Sequence, residues 1–127
     1  MTNNKSAEFN QDQQKIANYS RILSHPARIA IIQLLAKEKE IKTGNISDYL
    51  PLGRTSVSRH LKELRSAGII QGTIEGLKIH YCLDMEKLQE IKSTINAFLD
   101  DSIYDFTCSC KACELNPEEH KLNNQKI

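Results

Sequence analysis

The chain has 127 residues, 39% hydrophobic and 26% charged, which is enough for one compact domain with a modest core and too little for two. Its formal net charge is +1, so a nucleic-acid interface would have to come from local charge and not from an overall excess. No apolar run approaches the length of a membrane span and the N-terminus shows no apolar signal region, so we expect a cytoplasmic protein without a membrane partner.

The start of the chain predicts a loose arm followed by two helices. Residues 1–10 are mostly polar, while residues 11–23 repeat apolar side chains at helical spacing. Ser24 fits as the N-cap of a second helix over residues 25–38, because its hydroxyl can accept a bond from a free helical N–H. Pro26 falls in the first turn of that helix, where a missing N–H costs little.

The second helix is the most hydrophobic segment, and a shorter third helix is expected after it. Four residues are expected to form the inner stripe of the second helix, namely Ile29, Ile32, Leu35 and Ala36, and two more lie alongside, Ile31 and Leu34. Thr43 can cap a short helix over residues 44–50, with Ile46 and Leu50 facing inward.

A fourth helix begins at residue 54, in the stretch 54–70 that reads RTSVSRHLKELRSAGII, and this stretch carries the most informative pattern in the chain. On a helical wheel Val57, Leu61 and Leu64 share one face. The opposite face holds Thr55, Ser58, Arg59, Lys62 and Arg65. Gly68 is expected to end the helix. A helix with this division can lie in the DNA major groove, although a core helix with a solvated polar face is the alternative.

The remaining segments predict a hairpin and a last helix. Residues 69–83 alternate loosely as two strands, with Glu75 and Gly76 at the tip. Asp84 can cap a helix that runs to about residue 101. Its apolar residues at three- and four-residue spacing are Leu88, Ile91, Ile95, Phe98 and Leu99.

The order helix, turn, helix, hairpin predicts a mainly α-helical winged helix-turn-helix with a small β-hairpin. We expect an arm over residues 1–10, a DNA-binding and dimerisation domain over residues 11–105, and a cysteine-containing tail over residues 106–127. Arg59 and Ser58 are the expected base-edge contacts. The other expected DNA contacts are Arg54, Thr55, Ser56, Lys62, Arg65 and, in the hairpin, Lys78. His60 is expected to pack or to form a hydrogen bond, with a phosphate contact as the alternative.

Three runs, LSHPARIAIIQLLAK, TSVSRHLKELRSAGII and IEGLKIHYCLD, occur in the order found in the ArsR-type metalloregulators. The chain resembles that family over roughly residues 11–101. The resemblance implies a homodimer built on the first and last helices, binding of double-stranded operator DNA through residues 54–65, and release when an inducer binds. The expected dimer-interface residues are Ile16, Ile22, Leu88, Ile91, Ile95 and Phe98.

The chain departs from the family at both of its known metal sites. One family site needs two cysteines in the short third helix, but residues 40–46 read EIKTGNI. The other needs imidazole ligands in the last helix, but residues 84–86 read DME and residues 97–100 read AFLD. We therefore expect no cysteine site at the first position and no zinc site at the second.

If the chain has a sensor site, its sequence places that site at Cys108, Cys110 and Cys113. Three soft ligands within six residues suit a trigonal thiophilic ion such as As(III) or Sb(III), and Cu(I) is possible. Zn(II) or Cd(II) would need a fourth ligand, for which His120, Cys82 or His25 are candidates. The alternative is an oxidisable cysteine pair that makes a thiol-redox switch.

These patterns favour a thiophile-responsive repressor of transcription over two other classes of function. A winged-helix module for protein interaction would more often show apolar residues on the outer face of residues 54–65. A metal-buffering or thiol-redox protein is the other class, and for it any bound metal would be held without a change in affinity for DNA. We expect no enzyme, because the sequence shows no catalytic triad, paired carboxylates or phosphate loop, and no organic cofactor.

Overall fold

The computed structural model describes residues 8–38, 41–42 and 46–106, which form four α-helices and a three-stranded antiparallel sheet. The helices are α1 (Gln11–Ile22), α2 (Pro26–Glu38), α3 (Arg54–Ser66) and α4 (Met85–Tyr104), and the strands are β1 (Ile41–Lys42), β2 (Ile70–Glu75) and β3 (Lys78–Leu83). The chain divides into two compact units, one ending at Thr94 and the next beginning at Ile95, within α4. None of the helices in the described ranges is long and apolar enough to cross a membrane.

A reciprocal pair of side-chain bonds starts α1, close to the predicted position. The Asn10 side chain accepts a bond from the backbone N–H of Gln13 at 2.8 Å, and the Gln13 side chain accepts one from the N–H of Asn10 at 3.0 Å. Together they satisfy two backbone donors that the first helical turn leaves without intrahelical partners. Tyr19 and Ile22 are the buried residues of this helix.

The N-cap predicted for α2 is wrong by one residue. Ser24 instead donates its hydroxyl to the carbonyl of Arg21 at 2.7 Å, at the end of α1. His25 caps α2, because its Nδ1 accepts a bond from the N–H of Ala27 at 3.1 Å. Pro26 is the first residue of the helix and so lies in its first turn, as predicted.

The inner stripe predicted for α2 is also partly wrong. Ile31 and Leu35 are the buried residues of this helix, while Ile29 is 38% exposed and Ala36 is exposed. Because the helix is apolar on nearly every side, spacing alone could not select the face that the rest of the domain covers.

The described part of the short helix predicted between α2 and α3 is helical, with Ile46 in α-helical conformation and a 3-10 turn over Ser47–Tyr49. Residues 41–42 form strand β1, which the sequence did not predict. Ile46 is fully buried, in agreement with its predicted inward direction. Thr43, the predicted cap, lies outside the described residues.

The sheet has the strand order β1-β3-β2, with both pairs antiparallel. β2 and β3 form the predicted hairpin and pair from Ile70 opposite Leu83 to Glu75 opposite Lys78. The turn residues are therefore Gly76 and Leu77, one position later than predicted, and Gly76 has a φ of +62°. Positive φ is readily available to glycine, which suits a two-residue hairpin turn.

Asp84 caps α4, as predicted, and fixes where the last helix leaves the sheet. Its Oδ1 accepts the backbone N–H of Lys87 at 3.0 Å, and its Oδ2 accepts a bond from the Gln71 side chain at 2.8 Å. These bonds lower the pKa of Asp84, first through the Lys87 N–H and then through the Gln71 amide.

The buried apolar residues come from the helices, the strands and the segments between them in the described part of the chain. They are Tyr19, Ile22, Ile31, Leu35, Ile46, Val57, Leu61, Leu64, Ile69, Ile70, Tyr81 and Ile91.

Candidate nucleic-acid interface

The end of α3 is fixed by a backbone turn that leads directly into β2. Gly68 adopts a φ of +80°, its N–H donates to the carbonyl of Arg65 at 3.0 Å, and the N–H of Ile69 donates to that of Leu64 at 3.0 Å. This pair of bonds is the Schellman arrangement, and Leu64 and Ile69 complete it as fully buried side chains. The predicted stop at Gly68 is confirmed.

The buried face of α3 sets the rotation of the helix about its axis. Val57, Leu61 and Leu64 are each at most 2% exposed, as the helical wheel predicted. A rotation that carried these side chains into water would lose several kcal/mol of apolar burial, at about 1.5–3 kcal/mol for each large side chain. The opposite face is therefore held outward.

That outward face carries all the cations of the helix. Six of the predicted contact residues are exposed, namely Arg54, Thr55, Ser58, Arg59, Lys62 and Arg65. Ser56 is half-buried near the first turn, and the one acid of the helix, Glu63, is also half-buried. Exposed guanidinium, ammonium and hydroxyl groups on one helix face can contact both phosphates and base edges.

The hairpin adds little positive charge to this surface. Lys78 is exposed, but it lies opposite Glu75 in the register of the two strands. The Glu75 carboxylate also approaches the ring Nε2 of His80 at 2.8 Å. Lys78 can therefore contact DNA only beside an acid, so a wing contact is expected to contribute less than α3.

A polar cluster behind α3 connects the helix to α2. Arg28 donates its Nε to Nδ1 of His60 at 3.2 Å and its Nη1 to the carbonyl of Ile22 at 3.0 Å. The His25 and His60 rings are 4.2 Å apart between centroids. His60 is 8% exposed, and it is the buried polar residue of the described chain.

The surroundings of His60 favour its neutral form. Burial lowers the pKa of His60 most, the nearby charges of His25, Arg28 and Arg59 lower it further, and Glu63 opposes them. The sequence predicted packing or a hydrogen bond for this histidine, which is what the structure shows. Sequence reasoning missed Arg28, although a histidine on the apolar side of a helix signals a hidden polar partner.

The described residues contain no group of three or more His, Cys, Asp or Glu side chains that could hold a metal ion. Both oxygens of Asp84, at the position of a family metal ligand, accept bonds from the protein itself. Cys82 is a free, half-buried thiol. The predicted sensor residues Cys108, Cys110 and Cys113 lie outside the described residues, as does His120.

The residues predicted for the dimer interface fall into three groups by their exposure. Ile22 and Ile91 are 4% and 5% exposed within the single chain, so they belong to its own core and have little surface left for a partner. Ile16, Leu88 and Ile95 are half-buried. Phe98 is 46% exposed, and Leu99, Ile103 and Tyr104 are other exposed apolar side chains of α4.

Comparison with known proteins places the chain among regulators of transcription. A profile described as "Bacterial regulatory protein, arsR family" matches residues 25–71. The transcriptional repressor SdpR of Bacillus subtilis (strain 168) is 32% identical over 73 residues, which cover 58% of this chain and 80% of that protein. The arsenic resistance transcriptional regulator ArsR1 of Pseudomonas putida is 29% identical over 80 residues, which cover 63% of this chain and 62% of that protein, less than two thirds of its length.

A solved structure has the same fold. The crystal structure of a possible transcriptional regulator for arsenical resistance superposes with a TM-score of 0.57 at 27% identity, over 69% of this chain and 95% of that one. The matched proteins are regulators of transcription and not enzymes. With its winged helix-turn-helix and these similarities, the chain belongs to the arsR family of bacterial regulatory proteins and is a DNA-binding transcriptional repressor.

Proposed function

We propose that this repressor acts as a homodimer, binds its operator through the outward face of α3, and releases it when a thiophilic ion binds the C-terminal cysteines. The observation that carries the DNA contact is the division of α3. Its apolar residues are buried, and Arg54, Arg59, Lys62 and Arg65 are exposed on the helix. A protein-interaction surface would more often present apolar side chains at these positions.

The exposed residues of α3 divide by the contacts that their chemistry allows. Arg59 can form two bonds to one guanine edge, and Ser58 can bond to any base edge. The remaining residues are assigned to phosphates or to the helix start, namely Arg54, Thr55, Ser56, Lys62 and Arg65, with Lys78 as a minor contact from the hairpin.

Dimer formation is supported by the apolar residues that α4 leaves exposed. Phe98 and Leu99 are each 46% exposed, which is unusual for large apolar side chains on one short stretch of helix. A second copy of the chain would cover them together with Ile95, Leu88 and Ile16. A two-fold dimer would present two α3 helices about one DNA turn apart, so the operator should be nearly palindromic.

The inducer assignment rests on the sequence of the tail and on similarity. Cys108, Cys110 and Cys113 provide three thiolates within six residues, a ligand set that suits As(III). ArsR1 and the solved relative are both described by a link to arsenic resistance. A thiol-redox response of the same cysteines is the competing outcome of the tests below.

The DNA assignment is tested by comparing two substitutions on α3 with one elsewhere. Arg59→Ala should cost about 1–3 kcal/mol of operator binding and relax specificity at one base position. Lys62→Ala should weaken binding to all sequences alike and reduce the slope of log affinity against log salt by about one unit. Lys37→Ala, a change of an exposed lysine at the end of α2, is the control and should change neither.

Fluorescence anisotropy on operator and scrambled duplexes at several salt concentrations measures the operator affinity, the specificity and the salt dependence of each protein. An Arg59→Ala protein with wild-type affinity and specificity would show that the outward face of α3 is only solvated.

A further inference from the structure

Arg28 joins three elements of the domain through a single guanidinium group. Its Nη1 donates to the carbonyl of Ile22, the last residue of α1, at 3.0 Å. Its Nε donates to Nδ1 of His60, in the middle of α3, at 3.2 Å. Arg28 itself lies in the first turn of α2. The orientation of α3 therefore depends on a polar contact as well as on apolar packing.

The direction of these bonds fixes where the histidine protons lie. His60 Nδ1 accepts the Arg28 bond, so this nitrogen carries no proton and the neutral ring holds its proton on Nε2. His25 Nδ1 likewise accepts the N–H of Ala27. Each imidazole therefore stands as an acceptor, a role that the protonated ring cannot fill because both of its nitrogens are donors.

We propose that Arg28 and His60 are positioning residues for operator binding: the neutral His60 ring, held by Arg28, sets the orientation in which α3 presents Arg59 to DNA. His60 and Arg59 are consecutive residues of α3, so any rotation of the helix that follows the inward ring also moves the outward guanidinium. The inference rests on the proposed operator contacts of α3.

Protonation of His60 would break this arrangement in two ways. It places a proton on the nitrogen that accepts the Arg28 bond, and it puts a second cation against the guanidinium. The charged or titratable groups that act on the ring are His25 before α2, Arg28 on α2, and Arg59 and Glu63 on α3, and of these only Glu63 favours the cation. A protonated His60 would therefore be repelled by the guanidinium groups of Arg28 and Arg59.

The expected effect of low pH on operator affinity is opposite to the effect of added positive charge alone. Acidification adds positive charge to a protein, and added positive charge alone strengthens binding to DNA. If His60 must be neutral in the complex, acidification instead weakens operator binding. The sign of the pH dependence thus separates a positioning role from general electrostatics.

The matched substitution keeps the acceptor and removes the titration. The side-chain oxygen of asparagine can take the place of the imidazole Nδ1, so His60→Asn retains a partner for Arg28 that cannot gain a proton. His60→Leu keeps an apolar side chain and removes the acceptor. His80→Asn, in the hairpin, is the control for a histidine outside this cluster.

The experiment uses the full chain and a fluorescein-labelled duplex that the wild-type protein has selected from a random pool. Affinity is measured between about pH 8 and about pH 5 at constant ionic strength, while circular dichroism confirms that each protein stays folded. Wild type and His80→Asn should lose operator affinity as the pH falls below 6.5, the ordinary pKa of histidine, by at most about tenfold per pH unit for one coupled proton. His60→Asn should bind near wild-type strength above about pH 7 and escape this acid-dependent loss. His60→Leu should bind about tenfold more weakly at every pH.

Three results would overturn the proposal. They are a wild-type affinity that rises steadily on acidification, a His60→Asn protein that follows the wild-type profile, and a His60→Asn protein as weak as His60→Leu throughout. A wild-type protein that binds no duplex at all would reject the proposed operator contacts and this inference together. A wild-type protein that binds well but with one of those three results would reject only the inference.

Discussion

At the scale of single residues, His60 shows how much one buried side chain can reveal. The sequence predicted packing or a hydrogen bond for it, and the structure shows both, with a residual exposure of 8% and a bond from Arg28. Its partner Arg28 could not be foreseen, because the two residues are 32 positions apart and the pairing depends on how α2 crosses α3. Helical spacing tells which face a residue occupies, but not which residue of another element meets it.

The stability of the domain should fall as the pH drops below the ordinary pKa of histidine. The pKa of His60 is lowered from 6.5 in the folded state, so the unfolded chain takes up a proton before the folded chain does. The unfolded state then binds more protons, and the free energy of unfolding decreases with falling pH. Urea denaturation at several pH values should show this loss in wild type and a smaller loss in His60→Asn.

Two carboxylates should add a second pH range, at more acidic values, in which the free energy of unfolding decreases. The pKa values of Asp84 and Glu90 are lowered from 3.8 and 4.5 by hydrogen bonds, first from the Lys87 backbone for Asp84 and from the Lys87 side chain for Glu90. Their contributions to the free energy of unfolding are present above those ordinary values and are lost as the pH falls through the lower folded values.

The His60 prediction has its own contradicting outcome. Equal pH dependence of unfolding in wild type and His60→Asn above about pH 5 would contradict the assignment of the less acidic pH range to His60.

At the scale of elements, strongly patterned segments were predictable and evenly apolar ones were not. The buried face of α3, its end at Gly68 and the cap at Asp84 all follow from local spacing and local hydrogen bonds. The inner face of α2 did not, because that helix has apolar residues around most of its circumference. β1 was missed because its two residues are a strand only through pairing with β3.

Gly68 should be the residue at which the end of α3 is easiest to disturb. Its φ of +80° is disfavoured for any residue with a Cβ, so Gly68→Ala should lower the free energy of unfolding by about 1–2 kcal/mol. An added Cβ would also approach Cε of Lys87 at 3.2 Å, but that side chain can move. Gly68→Asn is the matched control, because asparagine tolerates this conformation better, and it should lose less. Urea denaturation measures both, and an alanine variant as stable as wild type would argue against the Schellman turn.

At the scale of the whole molecule, the apolar pattern of the sequence predicted buried residues, but it did not distinguish the core of one chain from the interface of a dimer. Ile22 and Ile91, predicted for the dimer interface, are instead buried within one chain. An apolar stripe reports that a surface must be covered, but not whether the cover comes from the same chain or from a second copy. The prediction of a dimer interface therefore depends on the apolar residues that the structure leaves exposed, such as Phe98.

Replacing Ile95 by Asp should abolish the dimer. The substitution would place a charge in the proposed seam, at a cost of several kcal/mol. Asn96→Asp introduces the same charge at an exposed neighbour on α4 and should leave the dimer intact. Sedimentation equilibrium together with operator binding distinguishes the two variants. The seam would be refuted by an Ile95→Asp protein that remains dimeric and binds operator normally.

The central claim, a repressor that a thiophilic ion releases from DNA, is tested most directly by titrating As(III) into the preformed complex of reduced protein and labelled operator. Coupling between the two sites of about 1–3 kcal/mol predicts a loss of about 5- to 150-fold in operator affinity. The triple variant Cys108→Ser, Cys110→Ser, Cys113→Ser should bind operator as wild type does and should not respond. The wild-type response should strengthen as pH rises, because the ligands are thiolates. An equal release of the triple variant by As(III), or a wild type that responds to peroxide and to no metal, would contradict the account.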